Sequence, residues 1–100
     1  MAYIVIRSQK NVSNTPFFAQ SGEDAREVLR SLSEWVRQQP GILRNFTLNN
    51  GQQSNEEFFI FDTAENGQQF QSAVDTNLEF AARSAYNGAH GIEETWSVIV

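Results

Sequence analysis

One residue of this sequence is of the type whose unperturbed pKa lies near neutrality, and that is His90, set between Gly88 and Gly91. It is a candidate general base at the mouth of a pocket, or else a solvated loop residue. Glu93 and Glu94 are its nearest potential partners at a metal ion. Adjacent residues of an extended strand point to opposite faces, so at most one of them joins it, and no metal site is expected. Tyr86, four residues earlier, carries a hydroxyl able to donate to a substrate oxygen, or to sit in water at the tip of an amphipathic side chain. Trp35 and Trp96 are surfaces on which a flat ligand stacks, and equally candidates for the core. Arg7 and Arg44 suit a carboxylate or phenolate ligand, or a salt bridge at a strand end. Phe17 and Phe18 could form a lid on a cavity, plug the edge of the fold, or pack on a second subunit. Asn45 and Asn49 offer donors to a carbonyl, or fill turn and edge positions. The working set is therefore His90 and Tyr86 for catalysis, with Trp96, Trp35, Arg7 and Phe18 for binding.

Glu56-Glu57 and Glu93-Glu94 are pairs in sequence only. Acid–base work needs carboxylates that converge, and neighbours on a strand diverge, so both pairs read as solvated ends. The chain has no Gly-rich phosphate loop and no G-x-S-x-G turn. Cysteine is absent, which excludes disulfides, thiolate nucleophiles and cysteine-ligated metals. The net charge is -5, and the seven basic residues are scattered. Nucleic acids and anionic membranes need clustered positive charge, so neither is an expected partner. The N-terminus has no basic region ahead of its short apolar run, and no apolar stretch approaches ~20 residues, so a cytoplasmic protein is expected.

The elements that must position these residues follow from periodicity. The run from Ala2 to Ser8 is a continuous β-branched and aromatic segment, a first strand buried on both faces. A long loop, Gln9 to Ser21, follows it. Ala25, Val28, Leu29, Leu32, Trp35 and Val36 then fall on one helical stripe, with Ser21 as N-cap and Pro40-Gly41 as terminator. Ile42 to Asn49 and Glu57 to Asp62 make a hairpin around Asn49-Asn50-Gly51. A second helix starts at Asp62 or Thr63, with a stripe of Phe70, Ala73, Val74, Leu78, Ala81 and Ala85, and stops at Asn87-Gly88. Gly67 weakens its first turn. Ile92 to Val100 is the last strand.

The order β-α-β-β-α-β in 100 residues predicts one α+β domain. It is a ferredoxin-like, four-stranded antiparallel sheet with two helices on one face. Strands apolar on both faces need a second cover, and a second copy of the chain supplies one by two-fold symmetry, so a homodimer is expected.

This pattern resembles the antibiotic biosynthesis monooxygenase (ABM) family of dimeric α+β barrels. The resemblance runs through the strand Tyr3–Arg7, the helix closing on Gln39-Pro40-Gly41-Ile42-Leu43, the strand Phe58–Asp62, the short helix near Thr63, the helix Phe70–Tyr86 and the final strand. It implies a possible cofactor-independent oxidation of an aromatic or quinone-like small molecule. Haem-degrading members of the family carry an Asn on the first strand and a Trp and a His on the second helix. Here the first strand has no Asn before Asn11 and the second helix has neither Trp nor His, so no cofactor is implied. A non-catalytic dimeric ligand-binding or scaffold protein on the same barrel is the other reading.

Overall fold

The computed structural model describes residues 2–51 and 53–100. Its strands are β1 (Tyr3–Asn11), β2 (Ile42–Asn50), β3 (Ser54–Phe61) and β4 (Ile92–Ile99). They form one antiparallel sheet in the order β2-β3-β1-β4. Three helices, α1 (Glu23–Arg37), α2 (Ala64–Asp75) and α3 (Leu78–Ala89), cover one side of it. This is the expected ferredoxin-like architecture, with β1 and β3 at the centre.

Register explains which residues go inside. Val5 stands opposite Phe59 on β3 and Val98 on β4, while Arg7 stands opposite Glu57 and Trp96. With a period of two, Tyr3, Val5, Arg7 and Gln9 all turn to the helices. Tyr3, Val5, Phe59 and Phe61 meet Leu32 and Val36 of α1, Phe70 of α2 and Phe80 of α3 in the core. Aromatic rings carry this packing: Phe70 lies 4.7 Å from Phe59 and 5.1 Å from Phe61, centroid to centroid. Such offset ring pairs add roughly 0.5–1.5 kcal/mol each beyond the area they bury.

Helix α1 matches its predicted stripe, but its start differs. Gly22 is the N-cap and makes no side-chain bond. Ser21 instead donates its hydroxyl to Phe18 O at 2.7 Å, closing a 3-10 turn over Phe18–Gln20. The loop after the first strand is also shorter than expected, because β1 runs on to Asn11.

The largest departure is the second helix, which is two. Asp75-Thr76-Asn77 are short polar side chains that compete with helical backbone bonds. Asn77 Oδ1 accepts from Glu79 N at 2.9 Å and Phe80 N at 3.0 Å, capping a new helix. The break resets the helical phase. Leu78, expected in the apolar stripe, is 85% exposed, and α3 buries Phe80, Arg83 and Asn87 instead. Gly67 also gains a reason: a Cβ there would strike the Tyr3 ring, so the glycine lets α2 lie close on β1.

Phe70→Ala is expected to cost about 3–5 kcal/mol, and Leu78→Ala to change stability by less than about 0.5 kcal/mol. Urea unfolding of the two variants checks the helix break directly, because one continuous stripe would make both costly.

Candidate functional site

The interior has two halves of opposite chemistry. Toward one end of the sheet it is closed aromatic core. Toward the other, the inward positions of β1, β3 and β4 switch to Arg7, Gln9, Asn55, Glu57 and Glu94. Arg7 is fully buried. It is ion-paired with Glu94, and its Nη1 lies 4.0 Å from Glu57 Oε1. Arg83 of α3 reaches the same Glu57 oxygen at 3.5 Å. Ser84 donates to Glu94 at 2.6 Å. Asn87 Nδ2 donates to Gln9 Oε1 at 2.8 Å, and Gln9 Nε2 donates to Asn55 Oδ1 at 2.9 Å. Glu57 and Glu94, expected as solvated ends, are thus inward members of a buried charge network. Their outward neighbours Glu56 and Glu93 are exposed, as alternation requires.

Burial pushes the Arg7 guanidinium down to about 10, and the nearby Arg83 charge adds to the effect, against the pull of Glu94 and Glu57. The folded value lies below that of the free side chain. The folded state therefore holds this proton less firmly, and the charged form costs stability at every pH below about 10. Around neutral pH Arg7 remains charged. Among the described residues, Arg7 Nε, Arg83 Nε and Asn87 Oδ1 are buried without a hydrogen-bond partner. The network is therefore costly to fold and is not explained by stability alone.

Beside it lies a partly open cavity of about 290 Å³ between α1, the 3-10 turn, α3 and the β2-β3 side of the sheet. Phe17, Phe18, Leu29, Leu32 and Phe80 form its apolar walls. Asn45, Thr47, Asn49, Asn55, Glu57 and Arg83 form its polar side. Glu57 and Arg83 keep side-chain exposures of 17% and 9%, so their ion pair borders open space.

The sequence-derived candidates fall in separate places. Phe18 lines the cavity. Arg7 lies in the adjoining charge network. Trp35 and Trp96 pack on the core, with Trp35 5.9 Å from Phe70 and Trp96 6.0 Å from Phe59. Trp96 also borders a separate recess with Gln71, Val74 and Asp75. His90 is the exposed C-cap of α3, stacked on Tyr86 at 4.0 Å, with Nδ1 2.8 Å from Tyr86 O. Tyr86 donates its hydroxyl to Pro16 O at 2.6 Å. Neither residue borders the cavity. Arg44 lies 5.2 Å over the Phe46 ring. Among the described residues no group of His, Asp and Glu is arranged to hold a metal ion.

The residues missed were Glu57, Arg83, Gln9 and Asn87. Two signals pointed to them. Tyr3-Val5-Arg7-Gln9 and Phe61-Phe59-Glu57 are alternate positions that pass from apolar to polar on one buried face. Phe80, Arg83 and Asn87 are spaced i, i+3, i+7.

No family model and no curated protein sequence matches this chain. Solved structures do. SnoaB, a cofactor-independent oxygenase from Streptomyces nogalater, aligns over 99% of this chain and 91% of its own with a TM-score of 0.63 at 10% identity. This chain shares its fold. A dimeric ferredoxin-like protein from an uncultured marine organism aligns over 98% and 92%, with a TM-score of 0.64 at 11% identity. A Deinococcus radiodurans protein assigned to the antibiotic biosynthesis monooxygenases aligns over 100% and 91%, with a TM-score of 0.56 at 10% identity. The resemblance to the ABM-type α+β proteins is thus one of architecture along the whole chain.

Removing one member of the buried network strands the others. Arg7→Met is expected to cost about 3–5 kcal/mol, and adding Glu94→Gln to recover part of it. A double-mutant cycle by urea unfolding checks this, with an expected coupling above about 1 kcal/mol.

Proposed function

We propose that the cavity binds a small, flat phenolic or enolic molecule and that the chain oxidises it with molecular oxygen. The observation that supports this most is the Glu57–Arg83 ion pair bordering a cavity with Phe17, Phe18 and Phe80 in its walls. A phenol or enol O–H both donates and accepts, so it fits between a carboxylate acceptor and a guanidinium donor. Aromatic walls suit a flat ring. The described fold is also that of a known oxygenase.

In this reading Glu57 takes the hydroxyl proton, and Arg83 holds the oxyanion. Glu57 sits near the two guanidinium groups of Arg7 and Arg83, and stabilisation of the anion by Arg83 supplies most of the drive. The electron-rich ring carbon of the anion then bonds to O₂. For a substrate CH₂ group the balance is one C=O and one water per O₂: two C–H bonds are lost, four electrons pass from carbon to oxygen, and the proton held by Glu57 returns to the departing water.

Anthrone, which enolises to a flat phenol, is a suitable probe. Oxygen uptake and anthraquinone formation should exceed the buffer rate, and Arg83→Met should lower kcat/KM by about a hundredfold or more. His90→Ala should stay within about twofold of the parent. A parent rate equal to buffer, or an Arg83→Met variant as active as the parent, would overturn the reading.

The other side of the sheet supports a homodimer. Ile4, Ile6, Phe46, Phe58 and Ile60 share it with Leu48 and Ile99, which are more than half exposed. An apolar face of this kind favours a partner, and a second copy covers it by symmetry. Phe46→Glu is expected to shift the protein from dimer to monomer in analytical ultracentrifugation. A monomeric parent at tens of micromolar would exclude this assembly.

A further inference from the structure

The segment between β1 and α1 forms one wall of the cavity, and its attachments are unlike those of an ordinary connection. Phe17, Phe18 and Ala19 line the cavity, and Phe17 is buried. The 3-10 turn is closed on itself: Gln20 N donates to Phe17 O at 2.8 Å and Ser21 N to Phe18 O at 3.1 Å. It packs on α1 and α3 as a small self-contained unit.

Both ends of this unit are residues with positive φ. Asn14, at φ 62°, is the one non-glycine residue with positive φ among the described residues, and Gly22 has φ 151°. These are positions where Asn and Gly move between wells at small cost.

The unit is tied to β1 through Asn11, which accepts from Thr15 N at 3.3 Å and donates to Thr15 O, and to the C-terminal half of α3. Tyr86 donates its hydroxyl to Pro16 O at 2.6 Å, and its ring meets Phe18 edge-on at 5.4 Å. Ser13, on the fixed side of Asn14, donates to His90 O, and His90 stacks behind Tyr86. Tyr86 and His90 therefore have work to do although neither borders the cavity.

We infer that residues 15–21 are a hinged lid over the cavity, pivoting at Asn14 and Gly22, and that the Tyr86 hydroxyl is its latch. The inference rests on the cavity being the ligand site, but the lid motion exists with or without a ligand. Phe18 travels with the lid, so opening removes an aromatic wall and closing returns it onto a bound ring. Tyr86 is a positioning residue here, acting on the ligand through the lid.

The test uses the absence of cysteine. Val36→Cys introduces the chain's single thiol at a buried position of the cavity wall with little change in volume. Its reaction with a thiol reagent reports lid opening without any ligand. Tyr86→Phe, added to it, removes the latch hydrogen bond and keeps the ring on Phe18. Labelling should then accelerate about five- to tenfold, the worth of one hydrogen bond, and depend little on urea. Tyr3→Phe, which removes a distant hydroxyl bond to Gln71, should leave the rate unchanged. Equal labelling with and without Tyr86→Phe, or a rate that tracks global unfolding, overturns the lid. Stopped-flow binding of 1-naphthol is the second measurement. Faster association and dissociation in Tyr86→Phe support the latch, and unchanged rates of a ligand that does bind count against it. Should 1-naphthol fail to bind at all, the labelling result still decides the lid, and the failure falls on the proposed function alone.

Discussion

A guanidinium buried at the centre of a β-sheet cannot be left alone. Arg7 sits on the central strand β1 with no exposure to water. An isolated charge there would cost far more than a small domain has in reserve. Glu57 and Glu94, on the two strands flanking it, face inward beside it. Their inward turn consumes the positions that would otherwise extend the aromatic core. Arg83 joins through Glu57, and Gln9, Asn55 and Asn87 form a hydrogen-bonded chain beside them.

The consequence is a divided interior. Phe59, Phe61, Phe70 and Phe80 interlock into a closed half, where the two tryptophans are packing residues. The polar half does not close in the same way. Helix α1 spans both halves, and over the second it faces Asn45, Thr47 and Glu57 across open space instead of ring against ring. The cavity is therefore a by-product of where the charge was placed, and its chemistry is inherited from the charge network. The lid is the remaining wall: with no apolar strand residues left to pack there, Phe17 and Phe18 arrive from the connection before α1.

The two faces of the sheet solve different problems. The inner face is covered by the helices of the same chain. The outer face alternates out of phase with it and carries Ile4, Ile6, Phe46, Phe58 and Ile60, which is why β1 and β3 read as continuously apolar segments. That continuity is the reason the strands are recognisable, and it leaves the outer face apolar.

The sequence by itself determined the element types, their order and the sheet topology they imply. Those follow from local rules: Ala25 to Val36 repeats at helical spacing, Tyr3 to Ile6 is aromatic and β-branched, and Pro40-Gly41 and Asn50-Gly51 end what precedes them. The division of the second helix was only half legible, because Asp75-Thr76-Asn77 breaks a helix only if Asn77 captures the next turn's amides, and the phase of Leu78 against Phe80 depends on that capture. The site was decided by the tertiary structure. Glu57 and Arg83 are 26 positions apart and carry no shared spacing. They meet because β3 pairs with β1 in one register and α3, packed on β4, turns Arg83 toward Glu57. Strand alternation could reveal that one carboxylate of each Glu pair turns inward, but a periodic rule cannot say what it meets there. Charge pairing across a sheet is a long-range contact, and only the folded arrangement sets it.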